Sequence, residues 1–382
     1  MINIKSATAY HLKAPLEQPY QTTFGAMTHR QAVIIQLDST DGLSGLAETY
    51  INFPIWAPAE RMAAYAEGYF PKTVGRDIED IPAFIAGLWN TFYRSALQSS
   101  SLGPAMQAVC AIEAALWDIA AKQKSQPLRN LFAPNAANRV KLYGSGINPP
   151  LPFDIISECL DVGMDCFKLK IGYGEEADKK NITELKKYLG NKARLAVDVN
   201  RSWTFKDTLS RLSYLEDQQI AWLEEPLLIE EEHLYPELAA RSKVLISCGE
   251  NLIIPPGTDL GPVVAGAPNI LQPAIAKSCG LSTAVKLVPL VEKAGKDIYP
   301  HYLSGAPGLA ASAQLAALTR AQHVEWDINP NPMRTHFFSE PFTIKEGYLE
   351  LTSQPGIGWQ PNTTVLTDWL VQKQTVSANR KS

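Results

Sequence analysis

Three short runs within residues 195–251 decide the fold: Leu195-Ala196-Val197-Asp198-Val199-Asn200, Ala221-Trp222-Leu223-Glu224-Glu225-Pro226 and Leu245-Ile246-Ser247-Cys248-Gly249-Glu250-Asn251. Each starts apolar, which suits a strand buried on both faces, and each closes on an acid or amide. A helical stretch, 204–218, lies between the first two. Strand alternating with helix is the pattern of parallel βαβ crossovers.

The same texture continues on both sides. Further strands are expected at 140–146, 166–171, 269–275, 297–302 and 323–328, with helices at 175–189 and 280–294. That makes eight strands, and from the second onward each begins about 23–30 residues after the one before. Eight units at this period fit a closed α/β barrel of roughly 250 residues. The GxGxxG turn that marks an open doubly wound dinucleotide fold is absent. Before residue 130 the character differs. Residues 32–38 and 43–49 read as antiparallel strands around the turn Ser39-Thr40-Asp41-Gly42, and residues 59–125 turn helical, most clearly at 104–122. Residues 341–370 return to strand-like texture with turns and are expected to pack on the N-terminal domain. Residues 371–382 read as a frayed polar tail. The expected organisation is a cap over 1–130, a barrel over 131–340, and a segment over 341–382 that completes the cap.

The 382 residues carry 35 Lys+Arg against 39 Asp+Glu. There is no basic excess to neutralise phosphates, so nucleic acid is not an expected partner. No apolar run reaches the roughly 18 residues of a membrane helix, and residues 1–6 lack a basic-then-apolar leader pattern. Five scattered cysteines without a CxxC pair fit a reduced, cytoplasmic setting.

The chemistry is expected at the strand ends, because the C-terminal ends of the strands form the active face of such barrels. Asp198, Glu224 and Glu250 fall 26 residues apart, one per strand. Three carboxylates converging at one mouth repel unless a cation compensates, and Mg²⁺ prefers oxygen ligands. Lys168 and Lys170, at i and i+2 of one strand, share a face. Two neighbouring ammoniums depress one another's pKa, which suits a general base. His301 closes the seventh strand as a second acid/base candidate, and Glu325 sits on the eighth. Asn200 is placed to hold substrate or a ligand.

This ordered set resembles the mandelate racemase/muconate lactonizing enzyme group of the enolase superfamily. The resemblance runs from the helix ending Ala115-Leu116-Trp117-Asp118 through Lys168-Leu169-Lys170, Asp198-Val199-Asn200, Glu224-Glu225-Pro226, Gly249-Glu250-Asn251, Gln272-Pro273 and Pro300-His301 to Glu325. It implies an α+β capping domain on a modified TIM barrel, (β/α)7β. It implies Mg²⁺ on Asp198, Glu224 and Glu250, and removal of the proton α to a carboxylate to give an enediolate. It casts Lys170 as the base, Lys168 as its modulator, His301 as the opposing acid or base, and Glu325 as the group that hydrogen-bonds the enediolate. A small-molecule carboxylate substrate and a homo-oligomer follow from the same likeness.

One position departs from the family pattern. Mandelate-racemase-like members pair the seventh-strand His with a sixth-strand Asp, and here that position is Ala274. His301 is then expected to lack the carboxylate that orients it, which favours dehydration of a hydroxy acid or acid sugar. Epimerisation or cycloisomerisation is the alternative, and a metal-binding barrel without turnover the third reading. Lys277 is expected past the strand, in a loop. Substrate contacts are expected from two polar and aromatic stretches of the cap, 18–30 and 50–58, through Tyr20, Thr23, Phe53 and Trp56.

Overall fold

The computed structural model describes residues 1–22 and 25–378, with side chains described outside 20–25. Thr23 therefore lies outside the described residues.

The chain opens with a long antiparallel hairpin, β1 (Ile2–Thr22) and β2 (Gly25–Ser39), followed by β3 (Ser44–Thr49). Pairing continues from Ala14↔Arg30 to Tyr20↔Met27 and beyond. The polar and aromatic stretch 18–30 is thus largely the distal part of this hairpin. Ladder hydrogen bonds come from the backbone and do not need an apolar face. Two helices, α1 (Ile81–Gln98) and α2 (Leu102–Gln123), pack behind the sheet. In α2, Val109, Ile112, Leu116 and Ile119 are buried on the helical repeat, so its apolar stripe meets β2 and β3.

Eight strands follow with helices between them: β4 (Arg139–Ile147), β5 (Cys166–Lys170), β6 (Arg194–Asp198), β7 (Trp222–Glu224), β8 (Leu245–Cys248), β9 (Ile270–Leu271), β10 (Asp297–Ile298) and β11 (His323–Asp327). Neighbours from β4 to β10 pair in parallel, and β11 pairs in parallel with β4. Among the described residues no ladder joins β10 to β11, and Tyr299 stacks on His323 across that gap in the TIM-type barrel. The helices carry expected end signals. In α3 (Glu175–Leu189), Glu175, Glu176 and Asp178 occupy the first turn and Lys186 and Lys187 the last, complementing the helix dipole. α4 (Phe205–Asp217) begins with a reciprocal Thr204–Asp207 capping box. α5 (Gly280–Lys293) and α6 (Ala306–Ala316) follow β9 and β10.

The C-terminal region departs from the sequence reading. A hairpin, β12 (Ile344–Lys345) and β13 (Tyr348–Glu350), extends the barrel sheet through antiparallel pairing with β4. β14 (Leu370–Ser377) pairs along β1 from Leu12↔Leu370 to Ser6↔Ser377. Residues 370–377 are therefore a strand, not a frayed tail. The edge of β1 left open by β2 offers unpaired backbone groups, and those bonds order a segment with little apolar content.

One face of the cap sheet (Leu12, Ala32, Ile34, Leu46) joins the barrel's apolar core, the other closes a separate core with the cap helices, and buried polar contacts tie cap to barrel. Arg30 on β2 meets Asp327 at the end of β11 at 2.5 Å, both buried. Asp118 on α2 accepts hydrogen bonds from the backbone N–H of Leu46 and of Ile357. Glu48, fully buried on β3, accepts from Gly305 N at 2.6 Å and Gly308 N at 3.0 Å, where α6 starts. Burial drives the Glu48 carboxyl up to about 7, although the two N–H donors pull the other way. At the opposite end of the barrel Tyr143, Trp222 and Tyr299 fill the interior edge to face.

Candidate active site

Parallel pairing in register brings the strand-end residues together. Lys170 pairs with Asp198 and Asp198 with Glu224, so acids 26 residues apart in sequence occupy neighbouring strands. All three acids are buried, with Glu250 the most accessible at 9%.

Lysines offset this charge. Lys168, 0% exposed, contacts Glu224 Oε1 directly and lies 2.8 Å from Glu325 Oε1 and 3.6 Å from Asp198 Oδ2. Lys170 contacts Asp198 Oδ2 and reaches the cavity. Burial alone lowers both lysines. For Lys168 the Glu224 and Glu325 carboxylates outweigh it, and for Lys170 Asp198 does, so both are held above the ordinary range. The mutual depression expected from the sequence is present, since Lys168 lowers Lys170, but the facing acids are stronger. Asp198 is lowered chiefly by Lys170 and Lys168 against its burial. Glu224 is pushed up to about 8 by burial, with Asp198 and Glu325 opposing Lys168. It is gripped from below by Trp222 Nε1 at 3.2 Å and Gln272 Nε2 at 2.6 Å.

His301 does not lack carboxylates. Its Nδ1 is 2.7 Å from Glu325 Oε2 and 3.2 Å from Glu250 Oε2. Burial lowers the imidazole, but Glu250 and Glu325 outweigh burial and raise it. Carboxylate neighbours are thus present from β11 and from the end of β8, as charge contacts rather than aligned hydrogen bonds. Lys277 lies past the strand, in a turn, as expected, yet its side chain reaches back into the site. After Ala274 the chain makes a tight turn, with Lys277 N and Ser278 N both bonded to Ala274 O. This turn carries the Lys277 ammonium back to Glu250 Oε1 at 3.0 Å and Asn251 Oδ1 at 2.7 Å, over the Tyr50 ring.

A cavity of roughly 320 Å³ opens above these groups, in the usual range for a small-ligand site. Lys170, Asn200, Glu250, His301 and Glu325 line it, as does Phe53 from the cap. Trp56 is 65% exposed and is not part of this lining. Tyr20 pairs with Met27 across the hairpin, and its side chain lies outside the described residues.

Sequence reading passed over Glu225 and Arg201. Glu225 is buried, raised to about 7 by burial and by Glu250, and held by Arg201 at 3.2 Å and Asn251 at 2.7 Å. Asn200, Arg201 and Glu225 all have positive φ, at 48°, 59° and 40°. Such strained non-glycine backbone persists where surrounding structure enforces it, typically around a binding site. The only sequence signal was adjacency to Asp198 and Glu224.

The donor set suits a hard divalent cation: buried carboxylates in excess, neutralised here by displaceable ammoniums. Glu224, Glu250 and His301 already bring ligand atoms within 4.8 Å of one another, while Asp198 is turned to the lysines.

Comparison with known proteins follows the same lines. Residues 155–365 match the family model described as enolase C-terminal domain-like. Residues 5–133 match the mandelate racemase/muconate lactonizing enzyme N-terminal domain. The D-galactarolactone cycloisomerase of Agrobacterium fabrum is 26% identical over 384 residues, covering 96% of this chain and 99% of the relative. The L-talarate/galactarate dehydratase of Salmonella typhimurium is 26% identical, covering 87% and 81%. The solved structure of a mandelate racemase/muconate lactonizing enzyme from Bordetella bronchiseptica superposes with a TM-score of 0.85 at 29% identity, covering 96% and 98%.

Proposed function

The chain belongs to the mandelate racemase/muconate lactonizing enzyme family of the enolase superfamily, and from that premise we propose that it is a Mg²⁺-dependent dehydratase of a hydroxy acid or acid sugar. Asp198, Glu224 and Glu250 would hold the cation, since Mg²⁺ favours oxygen donors and leaves the His301 imidazole for proton transfer. Bound there, it supplies charge neutralisation for a substrate carboxylate.

The observation that carries this reading is that Lys170 and His301 line one cavity from β5 and from the end of β10, on either side of the three acid-bearing strands. Lys170 removes the α-proton. With Asp198 held as a ligand, Lys170 would lose the carboxylate that raises it, and the neighbouring Lys168 ammonium would disfavour a second charge. Glu325, fixed by Lys168 and by Ser145 Oγ at 2.5 Å, bears on the developing enediolate. His301, whose imidazole the facing Glu325 carboxylate raises against burial, delivers a proton to the leaving β-hydroxyl from the opposite face. Positioned acid–base groups of this kind contribute about 10²–10⁴ in rate each.

Cycloisomerisation is the second reading, favoured by the cycloisomerase match over 96% of the chain. It uses the same α-proton step. Product analysis of a panel of hydroxy acids and their lactones incubated with the Mg²⁺-loaded protein separates the two. A 2-keto-3-deoxy product is expected, whereas an isomeric product of unchanged mass would replace dehydration with ring opening or epimerisation.

A further inference from the structure

Gln107 reaches the cavity from outside the two cap stretches expected to touch substrate. It lines the cavity from the second turn of α2 and is 9% exposed. It stands roughly three helical turns before Asp118, on the same face of α2, and through Asp118 that face meets the barrel at Ile357.

The amide is oriented from behind. Arg61, 2% exposed on the short helix Ala57–Ala64, donates from Nη2 to Gln107 Oε1 at 2.6 Å. A guanidinium has hydrogens and no acceptor, so the atom that faces it is the amide oxygen. The two Nε2 hydrogens are thereby turned away from Arg61, and among the described residues no atom accepts them. The backbone is held as well: Thr49 Oγ1, itself bonded to the Tyr65 hydroxyl, donates to the Gln107 carbonyl at 3.3 Å.

Arg61 is weakly supported for a buried cation. Its ion-pair partner is the partly exposed Glu60 at 3.3 Å, and its Nε has no hydrogen-bond partner. A guanidinium buried on these terms is a poor stabilising device. Its clear effect is to fix one amide with its donors free. Donors left open in a nearly enclosed site favour any ligand that brings them an oxygen.

Building on the proposed α-proton chemistry, we propose that Gln107 is a substrate-binding residue. Its amide donates to a hydroxyl oxygen that the substrate carries beyond the reacting α- and β-carbons. Arg61 is the positioning residue that presents the donors. The contact comes from a helix and not from a loop, so it is in place before the substrate arrives.

Calorimetry measures binding of a panel of six-carbon sugar acids to the Mg²⁺-loaded protein, and NMR in D₂O measures α-proton exchange. For the tightest-binding acid, the analogues that each lack one hydroxyl beyond the β-carbon are added. Gln107→Met, close in shape but with no hydrogen to give, should weaken that acid about 10- to 100-fold, in KM with kcat little changed. One deoxy analogue should lose as much on the wild-type protein and nothing further in Gln107→Met. Gln107→Glu keeps an oxygen facing Arg61 but offers the substrate no hydrogen. It should bind as weakly as Gln107→Met while melting no lower than wild type. Arg61→Met should weaken the same acid, and Arg61→Lys, which retains a donor for the amide oxygen, should restore most of the loss. Wild-type affinity in Gln107→Met, Gln107→Glu or Arg61→Met overturns the inference, as does a further loss for every deoxy analogue in Gln107→Met, or failure of every acid to bind. The expected affinity pattern with no exchange of any α-proton leaves the role of Gln107 standing and overturns the proposed chemistry instead.

Discussion

His301 Nδ1 lies 2.7 Å from Glu325 Oε2, joining the end of the seventh barrel strand to the eighth. The sequence resemblance leads one to expect the partner of this imidazole at Ala274, whose side chain has no polar atom. Glu325 sets a carboxylate beside the ring from a neighbouring strand and holds Lys168 with its other oxygen. One carboxylate therefore couples the acid side of the cavity to the base side.

His301→Gln should separate the two halves of the reaction. Exchange of the substrate α-proton depends on Lys170 and is expected to persist. Loss of water, which needs a proton on the leaving hydroxyl, is expected to fall by about 10²–10⁴. NMR of exchange and product on the same samples reads both, and an unchanged elimination rate would remove His301 from the acid role.

Glu224→Gln should abolish Mg²⁺ binding measured by equilibrium dialysis. The side chain keeps its shape and its contacts with Trp222 and Gln272 are accessible to an amide oxygen, but a charged oxygen ligand is lost from the centre of the site. Retention of wild-type affinity would mean that the cation site is built elsewhere.

Glu48 makes the docking of cap on barrel pH-dependent. Its folded-state carboxyl titrates at about 7 against an ordinary 4.5, so the fold favours the protonated form. Its contribution is fully present below pH 4.5 and declines as pH rises through 7, by about 3 kcal/mol at most. Urea midpoints at pH 5 and pH 8 should therefore differ less in Glu48→Gln than in the wild-type chain. Equal pH dependence in the two proteins would assign the decline to other groups.

The barrel and its acid set were legible because they depend on local period. A strand repeat of 23–30 residues places Asp198, Glu224 and Glu250 on neighbouring strands whatever the details of packing. What stayed hidden depends on where the chain returns. The tight turn after Ala274 that brings Lys277 onto Glu250 leaves no periodic trace in sequence. The same is true of the second carboxylate contact of His301 and of the Arg201–Glu225 pair, which join residues on different strands. The strand at 370–377 was read as a tail because its order comes from the free edge of β1 rather than from its own composition. Thr23 lies outside the described residues, and the expected contact through Trp56 is not reflected in the cavity lining, which takes Phe53 and Tyr50 from that stretch instead.

The central claim is that Lys170 removes a carboxylate's α-proton in a Mg²⁺-dependent step. Deuterium incorporation at the α-carbon in D₂O, followed by NMR for wild type and Lys170→Ala with Mg²⁺ present, tests it most directly. Exchange in the wild-type protein that stops on chelation of Mg²⁺ and is absent from Lys170→Ala, with Mg²⁺ binding retained in the variant, is the predicted result. Exchange that continues in Lys170→Ala at the wild-type rate would contradict it.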